Sequence, residues 1–210
     1  MSTLMNVFIV IDIEKINPRF ELGTIAGVAA IAFTIQDNIA IKLGEFSRDI
    51  NVDWSKADPD TLEWWDNNAK DYKQKVMNSN VKDNMNVWLY FYEFIYGFKD
   101  SNIIFISDNP TFDFSHIDYY LQQYYKIKSL RTFNGKYLQV WDINSMILSL
   151  FTPYQPPYKA KQFLVSQYSQ TFRKNLGQFY NTKYTHDPLD DCKYIAKVFI
   201  IIYFLRFIKM

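Results

Sequence analysis

The chemistry in this chain is first visible in two carboxylates, Asp12 and Glu14, at the end of the β-branched apolar run from Asn6 to Ile13. Residues two apart in a strand point to one face, and paired carboxylates on a buried strand are costly unless solvated or neutralised by a cation. The ordinary alternative is an acid pair at a strand end, facing solvent. Asp113 follows about a hundred residues later, in the run Asn-Pro-Thr-Phe-Asp from Asn109 to Asp113. An Asp near a helix start is more often a cap than a ligand. His186 and Asp191 close the set in His-Asp-Pro-Leu-Asp-Asp, where Asp187 suits a cap before Pro188 at a first helical position. By itself His186, one of 2 histidines, reads as a surface or packed imidazole.

The elements that must position these residues can be read from pattern. The run 6–13 is a central strand, Gly27–Ile35 a second and Ile39–Phe46 a third, joined by the short turn Gln36-Asp37-Asn38. Pro59 and its acidic neighbours predict a helix start, and that helix carries Leu62, Trp64 and Trp65. The apolar spacing of Val81, Met85, Trp88, Leu89, Tyr92 and Ile95 predicts a helix over 81–96, closed at Gly97. Ile103–Ser107 reads as a fourth strand, His116–Tyr125 as a helix, and Tyr137–Trp141 as a fifth strand. Asp142 then caps a helix through Leu150. The stretch 152–184 is polar and basic with some helical character, its start a mobile loop, and a last helix covers Leu189 to Ile208. The order predicts one α/β domain over 1–210. It has a five-stranded mixed sheet, an antiparallel three-strand meander plus two parallel strands, flanked by helices.

In this order, Asp-x-Glu, a distant Asn-x-x-x-Asp and His-x-x-x-x-Asp resemble the DEDDh 3′-5′ exonuclease family, whose fold is RNase H-like. The likeness is nearest to the phage exonuclease A (DexA) type and related bacterial exoribonucleases, and Glu63-Trp64-Trp65 and Trp141-Asp142 share in it. The resemblance implies that Asp12, Glu14, Asp113 and Asp191 converge to hold two divalent cations. Oxygen ligands suit Mg²⁺ or Mn²⁺. It further implies that Asp12 bridges the ions, Glu14 and Asp191 complete one site, and Asp113 holds the second through water. His186 is the general base. The implied substrate is the 3′ end of single-stranded DNA or RNA, released as nucleoside 5′-monophosphates. Ile16 falls where the family wedges an apolar side chain against the terminal base, with core packing as its alternative. Trp65 or Trp64 could stack on a base, and Asn109 belongs to the substrate side of its motif. Lys15 stands where the family often has Thr or Ser. Lys159, Lys161, Arg173, Lys174 and Lys183 are phosphate-contact candidates.

Composition narrows the alternatives. A formal net charge of +1 excludes a broad electrostatic coating of nucleic acid, though not a local basic groove. Aromatics make up 19%, which coding bias explains without a stacking surface. The single cysteine forms no internal disulfide and suits a reducing compartment. The apolar run Val198–Leu205 is short of the ~18 residues a membrane span needs, so a soluble cytoplasmic protein is expected. The last helix is apolar nearly all round; it is either core, the preferred reading, or a homodimer seam. The competing functions are a catalytically silent nucleic-acid-binding module and a polymerase-associated proofreading module of the same fold. Retention of all five residues weighs against the first, and the lack of an obvious tethering linker against the second.

Overall fold

The computed structural model describes residues 4–83, 85–126, 129–150 and 156–208. Strand β1 (Asn6–Lys15) runs through the middle of a five-stranded sheet with β2 (Ile25–Gln36), β3 (Ile39–Asp49), β4 (Asn102–Ser107) and β5 (Gln139–Asp142), in the order β3-β2-β1-β4-β5. β2 pairs antiparallel with both β1 and β3, while β4 runs parallel to β1 and β5 parallel to β4. This is the mixed sheet expected from the pattern, and it has the RNase H-like architecture.

The near-continuous apolar composition of β1 follows from burial on both faces. Val7, Ile9, Ile11 and Ile13 pack on one side with Trp65, Trp88, Phe91 and Phe114. Phe8 and Val10 pack on the other with Ile195, Phe199 and Ile202. The first layer is built by α1 (Pro59–Asn68), α2 (Lys70–Met77), α3 (Met85–Tyr96) and α4 (Asp113–Tyr125). The second is built by α5 (Ile143–Leu148), α6 (Pro157–Tyr168), α7 (Arg173–Leu176) and α8 (Pro188–Ile208). Period-two alternation therefore sends Asp12 and Glu14 to the face of Phe8 and Val10, where α8 begins.

Several boundaries differ from the pattern. The helix expected over 81–96 begins at Met85, because the backbone of Val81 is engaged elsewhere: its carbonyl accepts from Asn51 N at 2.7 Å. Periodicity did not separate α2 from α1; the break is at Ala69, whose φ of −132° leaves the helical region. α4 starts at Asp113 rather than His116, β5 spans Gln139–Asp142 rather than Tyr137–Trp141, and α5 stops at Leu148. The loop reading near 152–157 falls mostly outside the described residues, and α6 begins at Pro157. α8 is core on nearly every side, with Ile195, Ala196 and Val198–Ile202 all fully buried, so its apolar surface is used inside the chain and does not supply the homodimer seam. No helix among the described residues is long and apolar enough to cross a membrane.

Candidate active site

Asp12 sits on the last part of β1, where the strand is still covered, and is only 8% exposed. Its Oδ2 is buried without a hydrogen-bond partner. Burial pushes its carboxyl well above the usual range, and the charges of Asp113, Glu14, Asp108 and Asp191 push it further. Glu14, one pleat on, is raised in the same way, by burial first and then by Asp191. Opposite Glu14 in the register lies Gly27.

Asp113 opens α4, but its side chain does not cap that helix. It turns into the site instead, where its Oδ2 accepts from the Ser107 hydroxyl at the end of β4. Burial raises it to about 8, with Asp108 as the leading charge and the Ser107 hydroxyl opposing the shift. Asp191 lies one turn into α8 and is fully buried. Its two oxygens accept from the amides of Thr185 at 2.8 Å and His186 at 3.2 Å. Those bonds hold it down against burial, which still lifts it to about 7. Asp187 meets its expected capping role, with Oδ1 accepting from Leu189 N at 3.0 Å.

His186 has a left-handed backbone, φ 63°, in the loop that Asp191 ties down. Its ring lies edge-on between two aromatics, Trp64 at 5.0 Å and Tyr184 at 5.1 Å between centroids. Burial lowers its pKa from the usual histidine value.

The ligand-bearing atoms fall into two groups, each within 4.8 Å: Glu14, His186 and Asp191 in one, Asp12, Asp108 and Asp113 in the other. Asp108 is a fifth carboxylate that motif reading missed. The signal lay in the strand register, because Val10 pairs with Ile106 and two more residues along each chain bring Asp108 beside Asp12. Lys161 on α6 donates to Asp108 Oδ2 at 2.7 Å. Two clefts of about 500 Å³ meet at Asp108 and Asn144. One is lined further by Asn109, Thr111 and Arg131, the other by Tyr158, Lys161, Tyr184 and His186.

The substrate-side expectations divide. Asn109 is exposed in the first cleft, its Oδ1 accepting from Thr111 Oγ1 at 2.8 Å. Trp65 is fully buried, so the expected substrate contact is corrected: its indole stacks on Tyr72 and its Nε1 donates to the Lys15 carbonyl at 2.9 Å, which leaves no face for a base. Trp64 carries the exposed ring, 37% accessible, against His186. Ile16 is fully buried in the core, which removes the wedge reading and leaves the packing one. Lys15 is buried and lowered to about 8, its ammonium donating to the Arg19 carbonyl at 2.6 Å. Arg173 and Lys174 lie on α7, which packs against β3, and the adjoining Asn175 bonds the β2–β3 turn at Asn38, the sheet end remote from Asp12. They are not placed to meet a substrate phosphate at this site.

The sequence model of the family described as 3′-5′ exoribonuclease Rv2179c-like domain matches residues 7–203. No curated protein matches the sequence. Among solved structures, the nuclease domain of 3′hExo, a DEDDh family member bound to rAMP, superposes with a TM-score of 0.58 at 12% identity, over 96% of this chain and 92% of that one. Cell-death related nuclease 4 gives 0.56 at 12%, over 97% of this chain; the chain spans 65% of that protein's length. E. coli exonuclease I in complex with an oligonucleotide gives 0.54 at 13%, over 96% of this chain and 43% of that one. These likenesses agree with the sheet order and the helical layers on its two faces.

Proposed function

This chain belongs to the Rv2179c-like 3′-5′ exoribonuclease domain family and is a 3′-5′ exonuclease; on that premise we propose that it uses two divalent cations to release nucleoside 5′-monophosphates from single-stranded 3′ ends, RNA before DNA. The observation that carries the reading is the orphaned Oδ2 of Asp12, buried amid four other carboxylates. An anionic oxygen in that position has no donor, so a cation fits where no protein group does. The donor set is mostly carboxylate oxygen, which suits Mg²⁺ or Mn²⁺. The rAMP and the oligonucleotide described above belong to other proteins; they support a nucleotide product and a single-stranded polymer as the choice here.

In this reading Glu14 and Asp191 would hold one cation and Asp113 the other, with Asp12 serving both. Bound there, the cations would lower the pKa of water and offset the charge developing on the phosphate. His186 takes the proton from the attacking water on an imidazole nitrogen. Burial lowers its pKa and so favours the neutral imidazole, the form a base needs. Trp64 and Tyr184 hold the ring in place, and Asp191 fixes the loop through two backbone amides. The exposure of Asn109 in the adjoining cleft supports a contact with the substrate strand.

The test is a time course on RNA and DNA oligonucleotides labelled at the 5′ end, with Mg²⁺, Mn²⁺ or EDTA. Stepwise shortening from the 3′ end, abolished by EDTA and by Asp12→Asn, is expected. If neither polymer shortens with either metal, the reading fails.

A further inference from the structure

Lys161 is a buried lysine, 7% exposed, and its ammonium bonds the Asp108 carboxylate at 2.7 Å. Among the described residues, this is the one ion pair that reaches any of the five clustered acids. A single fixed positive charge therefore partners a group whose other members carry none. Asp108 is bound to that charge through one oxygen, yet a carboxylate oxygen of Asp108 also lies within 4.8 Å of ligand oxygens on Asp12 and Asp113. Asp12, whose Oδ2 is buried without a partner, belongs to the same group.

From this juxtaposition we propose that Asp108 joins Asp12 and Asp113 in holding the second cation, and that the Lys161 ammonium competes with that cation for the Asp108 carboxylate. The inference rests on the two-cation reading. Its physical basis is like-charge competition. A tethered ammonium already neutralises part of the Asp108 charge and repels an arriving cation, so it lowers affinity at this position more than at the Glu14–Asp191 position. The Asp108 charge in turn acts directly on its neighbour, being the leading charge that raises Asp113. With a cation held at Asp108, the ammonium would be free to face the cleft that Lys161 already lines with Tyr158, Gln162 and Tyr184, where a phosphate would be its partner.

The experiment is calorimetric titration of the intact chain with Mn²⁺, read without substrate or turnover. The wild-type chain should show two binding events. Asp108→Asn should weaken the weaker event by about tenfold, and Lys161→Met should tighten it by about tenfold, each tenfold being ~1.4 kcal/mol. Lys161→Arg keeps the charge and should match the wild type, and the double variant should behave as Asp108→Asn alone. Lys161→Gln supplies the same charge removal if the Met variant fails to fold. Two events with Asp108→Asn unchanged would overturn this inference alone, as would a Lys161→Met variant that binds no tighter. Fewer than two events in the wild-type chain would sink the two-cation reading as well.

Discussion

At the scale of single residues, the site is a set of groups kept in states water would not allow them. Asp12 and Glu14 were legible because a period of two is local information: any strand through 6–15 puts them on one face. Asp108 was not, because what brings it to Asp12 is the pairing of β1 with β4, two strands 96 residues apart in register. The tryptophans show the same limit. Adjacent positions on a helix point in different directions, and only the location of the sheet shows that Trp65 turns inward and Trp64 outward. His186 tests the chemistry at this scale. Replacing it with Asn should lower kcat by about 10²- to 10⁴-fold while Mn²⁺ binding persists. With Mn²⁺ saturating at every pH, so that the carboxylates no longer limit the rate, the acid limb of the wild-type profile, expected below ~6.5 because burial lowers His186, should vanish in the variant. Retention of that limb would assign the proton transfer elsewhere. Trp64→Ala should reduce kcat with little change in KM, and Trp64→Phe should restore most of it. A parallel rise in KM would instead mean that Trp64 binds substrate.

At the scale of elements, what fixes the catalytic geometry is how tightly helices approach the end of β1. Gly27, paired with Glu14, lies directly under that approach. A Cβ there would lie 2.2 Å from Tyr72 Oη on α2 and 2.8 Å from Pro188 Cγ at the start of α8. Tyr72 is further pinned by its bond to Asp49 at 2.9 Å, so it cannot simply rotate aside. Gly27→Ala should therefore push α2 and the α8 start away from the sheet, carrying Asp191 and the His186 loop with them. The expected cost is about 1–3 kcal/mol of stability in a urea titration, together with loss of nuclease activity. Full activity in a folded Ala variant would show that the α8 start has slack. None of this could be read from the sequence, where Gly27 is simply the first residue of an apolar run. The strands and the long α8 were legible because their apolar content is strong and continuous. The true start of α3 was hidden by a contact distant in sequence, since the backbone of Val81 bonds Asn51 and the chain folds helically only after it; α2 was hidden by the backbone break at Ala69, which apolar spacing does not mark.

Taken as a whole, the molecule spends stability on its site, and that cost has a sign. Asp12, Glu14, Asp113 and Asp191 all have folded-state values raised above the ordinary carboxylate range, Asp113 to about 8 and Asp191 to about 7. Groups raised on folding bind more protons in the native than in the unfolded chain between the two values. Native stability is therefore fullest below ~4 as far as these groups are concerned, and falls as pH rises toward 8. Other groups fail in strong acid, so the window to examine is pH 5 to 8. Stripped of metal, the chain should lose melting temperature steadily across that range. Cations that bind only the native state reverse the loss, contributing ~2.7 kcal/mol at a hundred times Kd. For a chain of this size that corresponds to roughly 5–10 °C, and the gain should be larger at pH 8 than at pH 5, where the acids must first release protons. Calorimetric melts with EDTA and with Mg²⁺ or Mn²⁺ at both pH values measure it directly. A metal-free melting temperature that rises from pH 5 to 8 would mean that the acids are not held as close and as dry as the fold places them. In Asp12→Asn the same melts should show a smaller pH dependence without metal, because a neutral amide relieves the repulsion at its centre, and a smaller gain when metal is added. The two effects together separate electrostatic strain from any general loss of packing, which would lower the melting temperature equally at every pH.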